Sequence, residues 1–201
     1  MPAIRHRGRF RSDTDETDDA STETLEKMVR QVGNRIYFHA PVSRESIMML
    51  IRRIEEAEVA AFAARNTHMV LYIHSEGGDA HAGLSGMNHV QNARLPITTV
   101  ADGLVASAGT FLLLGGRRRL AMPHSVILIH QLSTAFWGKY AELVDEMKNS
   151  QQLMKTLSQL YRKKTRLNKK RVRSLLKKEL TMTARECVNN GIVDGFVKSD
   201  E

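Results

Sequence analysis

With 201 residues, 42% of them hydrophobic, the chain is long enough to bury one sizeable core, and a single folded domain is expected. No run approaches the roughly 18 apolar residues that a membrane-spanning helix needs. The basic start MPAIRHRGRFR lacks the apolar segment of a secretory signal, and the single cysteine, Cys187, excludes an intrachain disulfide, which fits a reducing, cytoplasmic setting.

In chain order, residues 1–22 are rich in charge, Ser and Thr and poor in large apolar groups. Such a segment cannot offset its ordering entropy by burial, so a flexible tail is expected there, with one domain over 23–201. Ile36-Tyr37-Phe38 predicts a short strand closed by Ala40-Pro41. Ser43 then suits an N-cap, and Ile47, Leu50, Ile51 and Ile54 recur at helical spacing. Met69-Val70-Leu71-Tyr72-Ile73 is a near-continuous apolar run, as for a strand covered on both faces. Gly77-Gly78 breaks it, and Leu84, Met87 and Val90 mark a second helix.

Pro96 opens a strand over 97–100, and Gly103 leads into the apolar segment 106–114, stopped by Gly115-Gly116. Strands are predicted over 119–122 and 126–129, on either side of Pro123. A long helix is predicted over 140–161, with Leu143, Met147, Met154 and Leu157 turned inward. Thr183 and Glu186 form a capping-box pattern, and Gly191 closes that short helix. Strands alternating with helices indicate an α/β fold.

The net charge of +8 raises nucleic acid as a partner. The charge is concentrated in Arg5–Arg11 and in Arg162–Lys178, with no zinc-finger spacing or RNA-binding aromatic motif. A solvated helical face is the preferred reading of the second block.

Three fragments can carry chemistry. Ser107 sits among small residues, Ala106-Ser107-Ala108-Gly109, where a carbonyl could approach; a helix starting near it would offer N–H groups to an oxyanion. Close packing explains the same residues. Ser75-Glu76-Gly77-Gly78 follows a buried strand, where paired glycines let the backbone meet a ligand or simply turn the chain. His130 ends the strand 126–129 on the face of Val126 and Leu128, as a general base or as a half-buried core histidine. His124 follows Pro123 in a solvated turn, and the histidines show no metal-ligand spacing.

Taken together and in order, these fragments resemble the proteolytic subunit of the Clp protease family. The resemblance runs through Arg35 to the Ile47 helix, Ser75–Gly78, Gly103–Thr110, Pro123–Gln131 and Gly191–Asp194, over about residues 33–198. It implies a crotonase-like spiral of βαβ units with a long protruding handle helix. It also implies a serine endopeptidase that cleaves polypeptides inside two stacked heptameric rings of one subunit, without metal or cofactor. By position, Ser107 matches the nucleophile and His130 the general base. Gly78 and Ala108 match the donors of the oxyanion hole. The family's third catalytic position, an aspartate shortly before the Ser/Thr-Ala that starts its last helix, is held here by Glu179.

Glu76 also departs from the family's Pro-Gly-Gly turn. Residues 1–32 do not resemble the family's N-terminal pore loops, through which AAA+ unfoldases dock, so these residues do not themselves support the unfoldase partnership that the resemblance implies. Two further readings follow from the same resemblance: a catalytically silent ring subunit, and a crotonase-type enzyme acting on acyl-CoA. They separate on peptide turnover and on thioester turnover, respectively.

Overall fold

The computed structural model describes residues 23–198; the expected tail, residues 1–22, lies outside the described residues. After a helical turn over 23–28, the chain forms β1 (Val29–Val32), β2 (Arg35–Phe38), α1 (Arg44–Ala63), β3 (Met69–Ser75), α2 (Ala80–Asn92) and β4 (Ile97–Ala106). Next come α3 (Gly109–Gly115), β5 (Arg118–Ala121), β6 (Val126–Leu128) and α4 (Tyr140–Lys164). The described chain closes with α5 (Lys169–Leu175), β7 (Met182–Thr183), α6 (Ala184–Asn189) and β8 (Gly195–Phe196).

The helix starts follow from capping chemistry. At α1, Ser43 Oγ accepts from Ser46 N–H at 3.2 Å while Ser46 Oγ accepts from Ser43 N–H at 2.9 Å, a reciprocal cap that satisfies two otherwise orphan donors. Asp79 caps α2 through Ala82 N–H at 2.6 Å. At α6 the Thr183–Glu186 capping box forms as its spacing predicts.

One sheet organises the fold, in the order β1-β2-β3-β4-β5-β8, with β6 added beside β4 and β7 beside β6. β2, β3, β4 and β5 are mutually parallel; β1 and β7 run antiparallel to their neighbours. β4 divides its pairing. Its first half, Thr98 to Ala101, pairs with β5, whereas Leu104 to Ala106 pair with β6. Between the halves stands Gly103 at φ +82°, and β3 shifts register between Ile73 and Ser75. The sheet bends there, as irregular pairing permits, and so carries the ends of β3, β4 and β6 to one place.

The core lies where α1 and α3 pack on the sheet and α2 packs in turn on both of those helices. Leu50, Leu71, Ile73, Leu112, Leu113 and Ile127 are fully buried. All of α3 is buried.

Several sequence-based boundaries change. β3 is not covered on both faces: Met69, Leu71, Ile73 and Ser75 are buried, Val70 and Tyr72 are half-buried and His74 is exposed. Its second face is filled instead by ring contacts, with Tyr72 stacked on Tyr37 at 5.0 Å. β4 continues from Val100 to Ala106 because Gly103 absorbs the bend without ending the ladder. α3 accordingly starts at Gly109. α4 extends to Lys164, where basic residues in the last turn suit the helix dipole. Met147 does not turn inward; it is 54% exposed, because the first half of α4 stands clear of the core, and only Leu157 and Tyr161 on this helix are fully buried.

Candidate active site

Ser107 lies between the end of β4 and the start of α3, at φ +52°. A left-handed conformation at a non-glycine residue costs about 1–3 kcal/mol, so the surroundings must enforce it. They do so from both sides. Ser107 N–H donates to Leu128 C=O at 2.9 Å, extending the β4–β6 ladder by one residue. Its own carbonyl accepts from Thr110 N–H at 3.0 Å and from Thr110 Oγ1 at 2.6 Å. Thr110 Oγ1 in turn contacts Tyr161 Oη at 2.6 Å, and both residues are buried. Since the threonine proton goes to the Ser107 carbonyl, the tyrosine hydroxyl donates to Thr110. Burial raises the Tyr161 pKa, which keeps that phenol protonated as a donor.

The β3–α2 turn closes on the same point. A Cβ at Gly77, whose φ is +95°, would lie 2.5 Å from Ser107 Cβ and 2.8 Å from the Ala106 carbonyl oxygen, so only glycine fits. A Cβ at Gly78 would collide with the Val42 carbonyl. The bridge between Val42 and Gly78 is made by Val42 N–H to Gly77 C=O at 2.7 Å and Asp79 N–H to Val42 C=O at 2.8 Å. Gly77 N–H is taken by Ser75 Oγ at 3.2 Å. Gly78 N–H takes part in none of these bonds. Ala108, the N-cap of α3, holds an N–H without an intrahelical acceptor, as first-turn donors do.

His130 follows β6. Parallel pairing of Ala106 with Leu128 sets Ser107 and His130 at the same end of neighbouring strands. Ser107, Ala108, Gly78, Glu76 and His130 line one cavity of about 250 Å³, floored by Phe111, Leu157 and Tyr161. Glu179 reaches His130 by another pairing. β7 runs antiparallel to β6 with Ile127 opposite Met182, and three further residues of that register bring His130 opposite Glu179. His130 Nδ1 stands 3.1 Å from Glu179 Oε1, the imidazole being mostly buried and the carboxylate 68% exposed. A carboxylate only accepts, so this contact assigns a proton to Nδ1, and in the neutral ring the lone pair then lies on Nε2.

The chain of Thr110 and Tyr161 behind Ser107 was not among the residues singled out from sequence. Thr110 is hidden in a run of small residues. Tyr161 repeats the helical spacing of Leu157 and reads as core, but its buried hydroxyl requires a partner. His124 is exposed. The basic block 162–178 forms the end of α4, a loop and α5, with Leu167, Val172, Leu175 and Leu176 buried and most of the cations outward. Among the described residues, no group of three His, Cys, Asp or Glu could hold a metal ion.

Comparison with known proteins gives the same family as the motifs. The family model for Clp protease matches residues 19–200. The ATP-dependent Clp protease proteolytic subunit of Mesostigma viride is 31% identical over 128 residues, 63% of this chain and 56% of the relative. The subunit of the same name from Deinococcus radiodurans is 31% identical over 129 residues, 63% of each chain. That of Oltmannsiellopsis viridis is 29% identical over 137 residues, 67% of this chain and 70% of the relative. The match therefore spans less than two thirds of the first two relatives. A family match over nearly the whole sequence, joined to this fold, leaves one assignment: the chain belongs to the Clp protease family.

Proposed function

We propose that the protein is a serine endopeptidase that cleaves polypeptides by acyl transfer. The observation that carries this reading is the placing of Ser107 and His130 on one cavity, with Nδ1 of His130 held by Glu179. In the proposed cycle His130 Nε2 takes the Ser107 proton as the hydroxyl oxygen attacks the peptide carbonyl. The carbonyl oxygen gains negative charge, which the N–H groups of Gly78 and Ala108 stabilise. His130 then gives its proton to the leaving amine, and the C–N bond breaks. Water, activated by the same imidazole, hydrolyses the ester and restores Ser107. Glu179 fixes the tautomer and balances the imidazolium charge.

The same reading treats residues 23–201 as one peptidase domain, working in the cytoplasm as a homo-oligomer of stacked rings around a chamber. Support for assembly comes from the segment leading into α4, where Trp137 is 89% and Tyr140 84% exposed, an apolar display that suits contact with further copies. A Clp-type ATPase feeding the chamber would follow from the relatives' designation as ATP-dependent. Turnover of an unstructured fluorogenic polypeptide by the wild-type protein, lost in Ser107→Ala at unchanged assembly size, supports the reading; equal turnover by both refutes it.

A further inference from the structure

The cavity holding Ser107 and His130 adjoins a second groove of about 820 Å³ that runs along α4. The two share Gly78, Ala80, Leu132 and Ser133 as walls, so the groove is positioned to take the continuation of a chain bound past Ser107. Apart from histidines, the charged residues lining the two are Glu76, Asp79 and Glu146, and among the described residues no Lys or Arg lines either. This sign is opposite to that of the protein, which has 30 Lys and Arg against 22 Asp and Glu. The cations gather elsewhere: Arg94, Arg117, Arg119, Lys163 and Lys164 line a separate cavity. No ion pair among the described residues neutralises Glu76, Asp79 or Glu146. Asp79 does accept from Ala82 N–H, but that bond leaves its charge in place.

A cleft lined by one sign of charge concentrates ligands of the other sign and speeds their capture by about 10- to 10³-fold. The apolar walls add a second match. Leu84, Phe136 and Leu153 border the groove and suit the aliphatic stems of Lys and Arg, whose heads then reach the carboxylates. We infer that the groove selects cationic stretches of polypeptide, with Glu76, Asp79 and Glu146 as specificity-determining carboxylates. The inference rests on the peptidase reading for its substrate, but its test does not require turnover.

The full chain carrying Ser107→Ala is titrated, by fluorescence anisotropy, into two labelled peptides of the same core sequence, one flanked by lysines and one by glutamates. The lysine peptide is expected to bind at least about 10-fold tighter at low ionic strength, with the gap shrinking as salt screens the charges. Adding Glu76→Gln, Asp79→Asn and Glu146→Gln should bring the ratio near one. Asn at position 79 still caps α2, and Glu76→Gln or Glu146→Gln alone should each lower the ratio partway if the triple variant misfolds. Equal binding of the two peptides, or a ratio that survives the substitutions, overturns the inference. Cleavage by the wild-type protein of both peptides at equal rates would overturn it while leaving the peptidase reading intact. Selective binding with no cleavage would leave the inference standing and remove the peptidase reading.

Discussion

His130 and Glu179 stand opposite one another because the two-residue strand β7 pairs with β6, and the 3.1 Å contact between Nδ1 and Oε1 is the continuation of that register. The proposed third member of the triad is a glutamate, one methylene longer than aspartate, and its carboxylate reaches the ring from a largely exposed position. Glu179→Gln keeps an oxygen able to accept from Nδ1–H but removes the charge that balances an imidazolium. A loss of about 10²- to 10⁴-fold in kcat is expected, with KM little changed, as for an interaction made mainly in the transition state. Steady-state kinetics on a fluorogenic peptide measure both quantities.

The buried pair Thr110 and Tyr161 holds the strained Ser107 backbone from behind. Tyr161→Phe removes one hydroxyl and leaves the bond from Thr110 Oγ1 to the Ser107 carbonyl intact, so a loss of about 1 kcal/mol is expected. Thr110→Val leaves the Tyr161 hydroxyl buried without an acceptor and should cost more, about 2–3 kcal/mol. Thr110→Ser keeps the hydroxyl and should recover most of that difference. Urea unfolding of the three variants gives the order, and a Thr110→Val protein as stable as Tyr161→Phe would contradict it.

His39 supplies a pH dependence of stability. Burial lowers its pKa from the ordinary 6.5, and His74 and Arg30 act in the same direction, while Asp102 opposes them. Its Nε2 is buried without a hydrogen-bond partner, 3.5 Å from Asp102 Oδ2. With the folded pKa depressed, the unfolded chain takes up the proton first on acidification. The stabilisation is therefore complete above about pH 6.5 and is lost as pH falls through the folded value. Thermal melts at pH 7.5 and 5.5 should show a larger fall in Tm for wild type than for His39→Gln; equal falls would exclude the effect.

Much of the fold was legible because its boundaries are chemical. Ser43, the Thr183–Glu186 box and Gly191 mark chain turns through caps and a left-handed glycine, and the apolar spacing of α1 and α2 needs no tertiary knowledge. What escaped depends on pairing. β1 and β7 are short and carry no periodic signal of their own; they exist because a neighbouring strand offers its free edge. The length of β4 was hidden by Gly103, which reads as a breaker but acts as a bend. Within the candidate site, Ser107 and His130 stand out as residue types at strand ends, whereas the left-handed φ of Ser107 appears only once Gly77 and Thr110 are packed around it. Glu179, read locally, is one acid in a basic run. Only the β6–β7 register makes it His130's neighbour.

The most direct measurement is covalent trapping of the proposed nucleophile, Ser107. The purified protein is treated with an uncharged fluorophosphonate, digested and mapped by mass spectrometry. A single adduct on Ser107, absent from Ser107→Ala and slowed in Glu179→Gln, is the predicted result. An unlabelled wild-type protein that also fails to cleave peptides, or a label of equal intensity on Ser107→Ala, would contradict the account.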